Sequence, residues 1–355
     1  MMQGYLECVK CKKKYEESIK TLTCIHNKYY DYLEYKNVVP AKNTVTLGQG
    51  NTPMVKLKKT GAMIGCQELY VKDESKNPTG SFKDRESAVL IDKAVDFGIK
   101  DVFAISSGNA AISLSAYAKV AGIRCTCYIP DHASEGKKKM IQLFGGKIVE
   151  MAGTYEAVYR KILDENISGW NCTLNPFKSA GSKKIAWEIY EKVGMPDKII
   201  VPCGNGSNLA GIWSGFKEIA QMKKIAKLPQ MIGVQVEGAS PLKSAMESGN
   251  DYEILSNIAD SVAEGIVATE SYSSPKALRA LKESKGSVLE VNEGEIKSAL
   301  RHMLIEESLV MEPTSASAFA GVWKLNISGK KVIVLLTSGG TNTLSEISDI
   351  VLGSR

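Results

Sequence analysis

Histidine is scarce in this 355-residue chain: only His26, His132 and His302 occur. None stands at a recognisable motif spacing from a serine or cysteine nucleophile and an acid, so hydrolase triads have little support. No apolar run reaches the roughly 20 residues of a membrane-spanning helix. The opening MMQGYLECVKCKKKY lacks the apolar centre of a signal peptide, so a cytoplasmic protein with no membrane partner is expected. The net charge of +6 comes from scattered lysines, with short runs at Lys12–Lys14 and Lys137–Lys139. No aromatics interleave with those runs, which makes them solvated faces and argues against a nucleic-acid partner. The eight cysteines (Cys8, Cys11, Cys24, Cys66, Cys125, Cys127, Cys172 and Cys203) are sparse for this length, and most lie in apolar stretches. Buried free thiols fit that pattern better than a disulfide framework.

Hydrophobic content of 44% and charged content of 24% are those of an ordinary globular chain, long enough for about two domains. From Asp101 onward short Val/Ile-rich runs alternate with longer amphipathic ones. VFAIS, RCTCYIP, KIVEMAG, KIIVPCG, MIGVQVEG and KKVIVLLTSGG read as strands. AISLSAYAKVAGI, YEAVYRKILDEN, SKKIAWEIYEKVG and LAGIWSGFKEIAQMKK read as helices. This alternation predicts an α/β fold with parallel-type sheets flanked by helices.

Residues 1–35 differ in kind. Cys8-x2-Cys11, then twelve residues, then Cys24-x-His26 form a possible zinc-ribbon-like knuckle. Three thiolates and an imidazole suit tetrahedral zinc, and four protein ligands would make the ion structural, with no open position. One residue between Cys24 and His26 is shorter than the commoner spacing, and two incidental thiols beside a surface histidine is the competing reading.

Three segments carry chemistry. In KDESKNPTGSFKDRESAVLI, Lys83 stands where the breaker-rich Asn77-Pro78-Thr79-Gly80 loop gives way to a helical run. An amine fixed there can form a Schiff base with a carbonyl cofactor. The alternative is a surface helix with Asp84 and Arg85 as its first-turn charges. In SSGNAAISLSAYAKVAG, residues 106–122, a Ser-Ser-Gly-Asn turn opens a helix beyond a strand's carboxyl end, where backbone N–H groups suit a carboxylate. The alternative needs only Ser107 or Asn109 as an N-cap. Gly204-Asn205-Gly206-Ser207-Asn208 lies between a strand and a long helix and forms an anion nest suited to phosphate. It is neither a Walker pattern nor G-x-G-x-x-G.

Taken together, these segments resemble the fold-type-II pyridoxal-phosphate (PLP) enzymes of the tryptophan synthase β family, and most closely the threonine synthases within it. NPTGSFKDR matches the lysine motif, SSGN the carboxylate loop, GNGSN the phosphate cup, EPTSA at 312–316 a stretch near the cofactor, and TSGG at 337–340 the ring-nitrogen motif. The likeness runs from about residue 45 to the C-terminus. It implies a homodimer and a two-domain fold: 36–98 with 178–355 as the large PLP-binding domain, and 99–177 as the small α/β domain.

The resemblance also assigns roles. Lys83 holds PLP and shuttles the substrate's α-proton, and Asn109 meets the phenolic oxygen. Gly204, Asn205, Gly206, Ser207 and Asn208 anchor the cofactor phosphate. Ser338, with Thr337 as the fallback, meets the pyridine nitrogen. Ser81, Ser106, Ser107, Asn109, Ala110, Lys178 and Ser182 fall at substrate-binding positions. The implied reaction converts O-phospho-L-homoserine and water to L-threonine and phosphate. Three departures leave a second reading open, β-elimination or β-replacement on serine, threonine or O-phosphoserine. Ala110 replaces a threonine, Lys178 replaces an arginine and loses its bidentate geometry, and AEGI at 263–266 is closer to a dehydratase pattern. Ser182, Lys183 and Arg85 are the candidate replacement donors, with a helix-surface place the simpler expectation for Lys183.

Overall fold

The computed structural model describes residues 4–36, 42, 44–165, 167–258, 260–340 and 343–352. Two compact units emerge: residues 1–49 with 77–182, and residues 50–76 with 183–355. All eight cysteines are free, and seven of them are buried.

The first unit begins with a three-stranded antiparallel sheet. Its central strand, Tyr5–Cys8, pairs with Lys14–Tyr15 on one side and Leu33–Lys36 on the other. Leu6, Tyr30, Tyr32, Leu33 and Tyr35 are buried on and around this sheet. The larger sheet of the unit has four parallel strands in the order Lys147–Met151, Arg124–Pro130, Asp101–Ile105, Trp170–Asn171. The helix Lys83–Asp96 also belongs here, and every residue from Asp84 to Ala94 in it is buried. A helix covered all round has no solvent face to show periodicity, which is why its sequence reads ambiguously. Its neighbours are the helix Asn109–Val120, through Ser113, and the short Lys178–Gly181 turn of helix. This unit boundary differs from the expectation of 36–98 with 178–355: those packing partners draw the Lys83 helix to the unit that holds the smaller parallel sheet.

The second unit is built on a six-stranded sheet in the order Ser287–Val291, Gln230–Val236, Lys198–Pro202, Lys331–Leu336, Glu68–Asp73, Met54–Lys56. All neighbours are parallel except the edge strand Met54–Lys56. Ile199–Val201 and Val332–Leu336 are fully buried, the continuous apolar run expected of strands covered on both faces. Lys198–Pro202 and Lys331–Leu336 pair in parallel, Ile199 facing Ile333. Both strands therefore end at the same edge of the sheet, and the loops after them, 203–206 and 337–340, emerge side by side.

The helix Ser207–Lys223 starts from the first of those loops. Glu283, at the end of the helix Ser274–Glu283, accepts hydrogen bonds from Trp213 Nε1 and Lys217 Nζ, both at 2.7 Å. Burial pushes the Glu283 carboxyl up, but the Lys217 and Trp213 hydrogen bonds outweigh it and hold the pKa at about 2. A depressed carboxyl pKa stabilises the fold above the unfolded-state value of about 4.3, and that contribution disappears as pH falls toward the folded value. Acid titration should accordingly show the wild type losing stability between about pH 4.3 and about pH 2. In Glu283→Gln that segment of the curve should be shallower, which urea midpoints measured across the range will check.

A second prediction concerns the seat of the Lys83 helix. A Cβ on Gly181 would lie 2.2 Å from the Arg85 carbonyl oxygen, a backbone atom that cannot swing aside. Gly181→Ala is expected to cost about 1–3 kcal/mol by overpacking. Gly136→Ala, in an exposed helix with nothing within 4 Å, should be neutral or slightly stabilising in the same thermal melts.

Candidate active site

In the first unit the loop before Lys83 is fixed by one carboxylate. Asp84 is fully buried and accepts from Thr79 N at 2.7 Å, Thr79 Oγ1 at 2.6 Å and Ser113 Oγ at 2.6 Å. Gly80 adopts φ +87°, open to glycine and strained for other residues, and its N–H donates to the Asn77 carbonyl. The chain so held enters the helix at Lys83, whose Nζ lies 2.9 Å from Glu86 Oε2 and 4.4 Å from the Phe82 ring centroid. Asp84, Arg85 and Glu86 are all buried, so the reading of a surface helix with ordinary first-turn charges is wrong. Charges are not taken out of water without partners, and this helix start is built around a partly exposed amine. Glu86 escaped sequence reasoning, although its i, i+3 spacing from Lys83 was the available signal.

Ser81 is buried, and its Oγ accepts from Lys83 N. Ser106, Ser107, Gly108, Asn109 and Ala110 are all half-buried at the end of the strand Asp101–Ile105. The helix Asn109–Val120 has Gly108 at its N-cap and no side-chain cap. The N-cap explanation for Ser107 and Asn109 is thus overturned. What this turn offers is a helix start without a capping side chain, suited to an anion.

In the second unit, Gly206 takes φ +85° at the N-cap of Ser207–Lys223, again without a side-chain cap and with no acidic residue in the first turn. A Cβ there would meet the Ala277 Cβ at 2.7 Å. The turn's carbonyls face the 271–273 segment: Ser271 Oγ donates to Gly204 O at 2.6 Å and Ser273 N to Asn205 O at 2.9 Å. Trans planar peptides then aim the following N–H groups, those of Asn205 and Gly206, to the opposite side. Asn205 Oδ1 itself accepts from Tyr272 N. Asn208 is 5% exposed, yet neither Oδ1 nor Nδ2 has a partner. A buried amide left unsatisfied beside an uncapped helix N-terminus fits an absent phosphate.

The neighbouring loop completes this edge. Ser315 Oγ lies 3.0 Å from Thr337 Oγ1, donates to Ser338 O and accepts from Ser338 N. Ser338 Oγ donates to Glu312 Oε2 at 2.6 Å. EPTSA and TSGG, 21 residues apart between Ala316 and Thr337 in the sequence, are therefore one hydrogen-bonded corner. Glu312 was visible only as part of a motif; its bond to Ser338 is a tertiary fact.

The substrate-side residues of the Asn175–Lys184 stretch divide. Lys178 Nζ reaches the Thr173 carbonyl at 3.4 Å. Ser182 Oγ is fully buried without a partner. Lys183 is 2% exposed and ion-paired with Glu218, which corrects the surface expectation. At the N-terminus, the ligand atoms of Cys8, Cys11, Cys24 and His26 lie within 4.8 Å of one another.

A family model described as "Pyridoxal-phosphate dependent enzyme" matches residues 45–339. The chain belongs to that family. PLP is accordingly its cofactor, and within the second unit the uncapped nest with its unsatisfied Asn208 amide fits a phosphate. Threonine synthase of Methanocaldococcus jannaschii is 32% identical over 94% of this chain and 91% of its own length. That of Halalkalibacterium halodurans is 33% identical over 87% and 88%. Among solved structures, serine racemase from Dictyostelium discoideum superposes with a TM-score of 0.70 at 26% identity, covering 82% of this chain and 93% of that one. An L-serine ammonia-lyase from Rhizomucor miehei gives 0.73 at 18% identity over 85% and 97%, a likeness of fold. No described helix is long and apolar enough to cross a membrane.

The orphan amide gives a prediction with opposite signs. Asn208→Ala removes two unpaired buried polar atoms, so the cofactor-free protein should melt no lower than wild type, apart from a small cavity effect. PLP affinity should nevertheless fall at least about tenfold, the loss of roughly one charge-assisted hydrogen bond. Melting curves without cofactor and fluorescence titration with PLP separate the two effects.

Proposed function

We propose that this PLP enzyme converts O-phospho-L-homoserine and water to L-threonine and phosphate. The observation that carries the reading is the 32% identity to a threonine synthase across 94% of the chain, a span that takes in part of the knuckle as well as the cofactor motifs. When bound, PLP supplies the electron sink that lets a proton leave the substrate's α-carbon. In this reading Lys83 holds the cofactor and moves that proton, with Glu86 setting where its amine rests. Gly204–Asn208 hold the cofactor phosphate and Asn109 meets the phenolic oxygen. Ser338 meets the ring nitrogen, its proton direction set by Glu312. Ser81, Ser106 and Ser107 with the uncapped N–H groups after Gly108 take the substrate carboxylate. The substrate's own phosphate falls to Lys178 and Ser182. A homodimer in the cytoplasm belongs to the same proposal.

A second reading has specific support. Lys178 and Ala110 stand where an arginine and a threonine would serve a phosphate, Lys183 is engaged by Glu218, and the 263–266 stretch is dehydratase-like. That combination favours an unphosphorylated or smaller substrate, with threonine or serine losing its β-hydroxyl to give ammonia and a 2-oxo acid.

The purified holoenzyme is to be incubated separately with O-phosphohomoserine, O-phosphoserine and threonine, and the products identified. Equimolar threonine and phosphate from the first, with little 2-oxo acid from the third, is expected. A faster release of 2-oxobutyrate from threonine would replace the proposal with the second reading. Lys83→Ala should lower turnover by about 10²–10⁴-fold or more, as for loss of a general base. It should also abolish borohydride-fixed pyridoxyl label at that peptide.

A further inference from the structure

The N-terminal cluster has no part in the chemistry above, yet it is more ordered than incidental thiols would require. Tetrahedral zinc with Zn–S bonds of about 2.3 Å separates two ligand sulfurs by about 3.8 Å. Cys11 Sγ and Cys24 Sγ lie 3.9 Å apart, and all four ligand atoms fall within 4.8 Å of one another. A disulfide would need the sulfurs about 2.05 Å apart, and the cysteines are free. The short Cys24-x-His26 spacing is accommodated because Ile25 is 91% exposed. Ile25 and His26 form a turn, which keeps the His26 ring within reach of the Cys24 sulfur.

Two further features point to an ion and not to chance proximity. The turn after β-strand Tyr5–Cys8 directs the N–H groups of Lys10 and Cys11 at the Cys8 sulfur, and that of Lys13 at the Cys11 sulfur. It does so with Lys12 at φ +62°, an uncommon conformation for a non-glycine residue. Hydrogen bonds of this kind orient the side chains that ligate a metal. Outside the ligands, Tyr15 OH lies 3.1 Å from Cys24 Sγ, and the His26 ring packs against Tyr32 with centroids 5.3 Å apart. Three thiolates around a divalent ion leave a net charge of −1, and Lys10, Lys12, Lys13 and Lys14 flank the same turn.

The cluster is tied to the helix that carries Lys83. Glu17, between the two ligand pairs, is ion-paired with Lys93 on that helix and accepts from Tyr35 OH at 2.7 Å. Tyr35 in turn packs on Phe177 at 5.7 Å, and Lys93 lies over Phe97 and Phe177. The segment 16–32 between the strands has almost no regular structure of its own. Side chains anchor it, through Glu17 to Lys93, through Lys28 and Tyr29 to Asp164, and through the buried Tyr30 and Tyr32, and a bound ion adds a cross-link within it.

We propose that Cys8, Cys11, Cys24 and His26 bind one structural zinc ion, which pins residues 5–36 and through Glu17 braces the distal half of the Lys83–Asp96 helix. This goes beyond the catalytic reading and does not depend on the substrate.

The test uses the full chain with PLP bound, expressed with ample zinc and dialysed into metal-free buffer. Mass spectrometry of the metal content should find one zinc per chain. Exchange for cobalt should give the visible bands of a tetrahedral site with thiolate charge transfer. Tyr15→Phe, which leaves all four ligands and should fold, is expected to weaken zinc affinity about 10–100-fold, whereas Cys66→Ser should not change it. Removing zinc should accelerate amide exchange at least tenfold in residues 5–36 and 90–97, with the helix 207–223 of the other unit as the unaffected reference. Protein that carries no zinc above the buffer blank and gives no cobalt spectrum overturns the site. Zinc that survives Cys11→Ser with His26→Ala at unchanged affinity also overturns it. Zinc present, with exchange at 90–97 indifferent to its removal, overturns the bracing role.

Discussion

A carboxylate with no access to water, that of Asp84, is the constraint on which the first unit's chemistry depends. It satisfies the Thr79 backbone, the Thr79 hydroxyl and the Ser113 hydroxyl at once. Those three donors come from the loop before Lys83 and from the helix that opens with the Ser106–Asn109 turn. One buried charge therefore sets the entry angle of the Lys83 helix and couples it to the proposed carboxylate-binding turn. A buried carboxylate is tolerated only when its oxygens are saturated, so the loop's geometry is over-determined. Lys83 inherits that rigidity and faces Glu86 from a partly exposed position.

The second unit obtains its precision differently, from sheet register. Because Lys198–Pro202 and Lys331–Leu336 are parallel neighbours, the anion nest and the Thr337–Ser338 loop are delivered to one edge. Ser315 and Glu312 then fix the second loop, while Ser271, Tyr272 and Ser273 fix the first by occupying its carbonyls and the Asn205 side chain. Each loop is held from its outer side, which leaves polar groups such as the Asn208 amide without internal partners. Unsatisfied polar groups at an uncapped helix start are suited to an anion.

Much of this architecture is legible in the residues themselves. The strand Arg124–Pro130 coincides with RCTCYIP, and the helix Tyr155–Asp164 falls where apolar spacing puts it, because half-covered elements carry a clear period. The strand Trp170–Asn171, the helices Pro241–Ser248 and Ser274–Glu283 and the strand Ser287–Val291 escape that pattern. They are short, or their buried faces carry a single Leu among Ser, Pro, Lys and Ala, which does not announce a core. The antiparallel N-terminal sheet is likewise hidden, since Lys14–Tyr15 is two residues long. Lys183 resembles a surface residue because a lysine at a helix start usually is one, and an ion pair with Glu218, 35 positions away, helps make its burial possible.

By itself the sequence determined the family, the cofactor, the alternation of strands and helices, and the set of residue types that chemistry requires, because each depends on local pattern or on short motifs. Tertiary structure alone decided which charges lie out of water, which unit owns the Lys83 helix, that Glu312 meets the Ser338 hydroxyl, and that four N-terminal side chains able to ligate a metal converge. Most of those are relations between segments far apart in the chain. Burial and hydrogen-bond saturation choose them, and neither leaves a mark on the residues that flank each position.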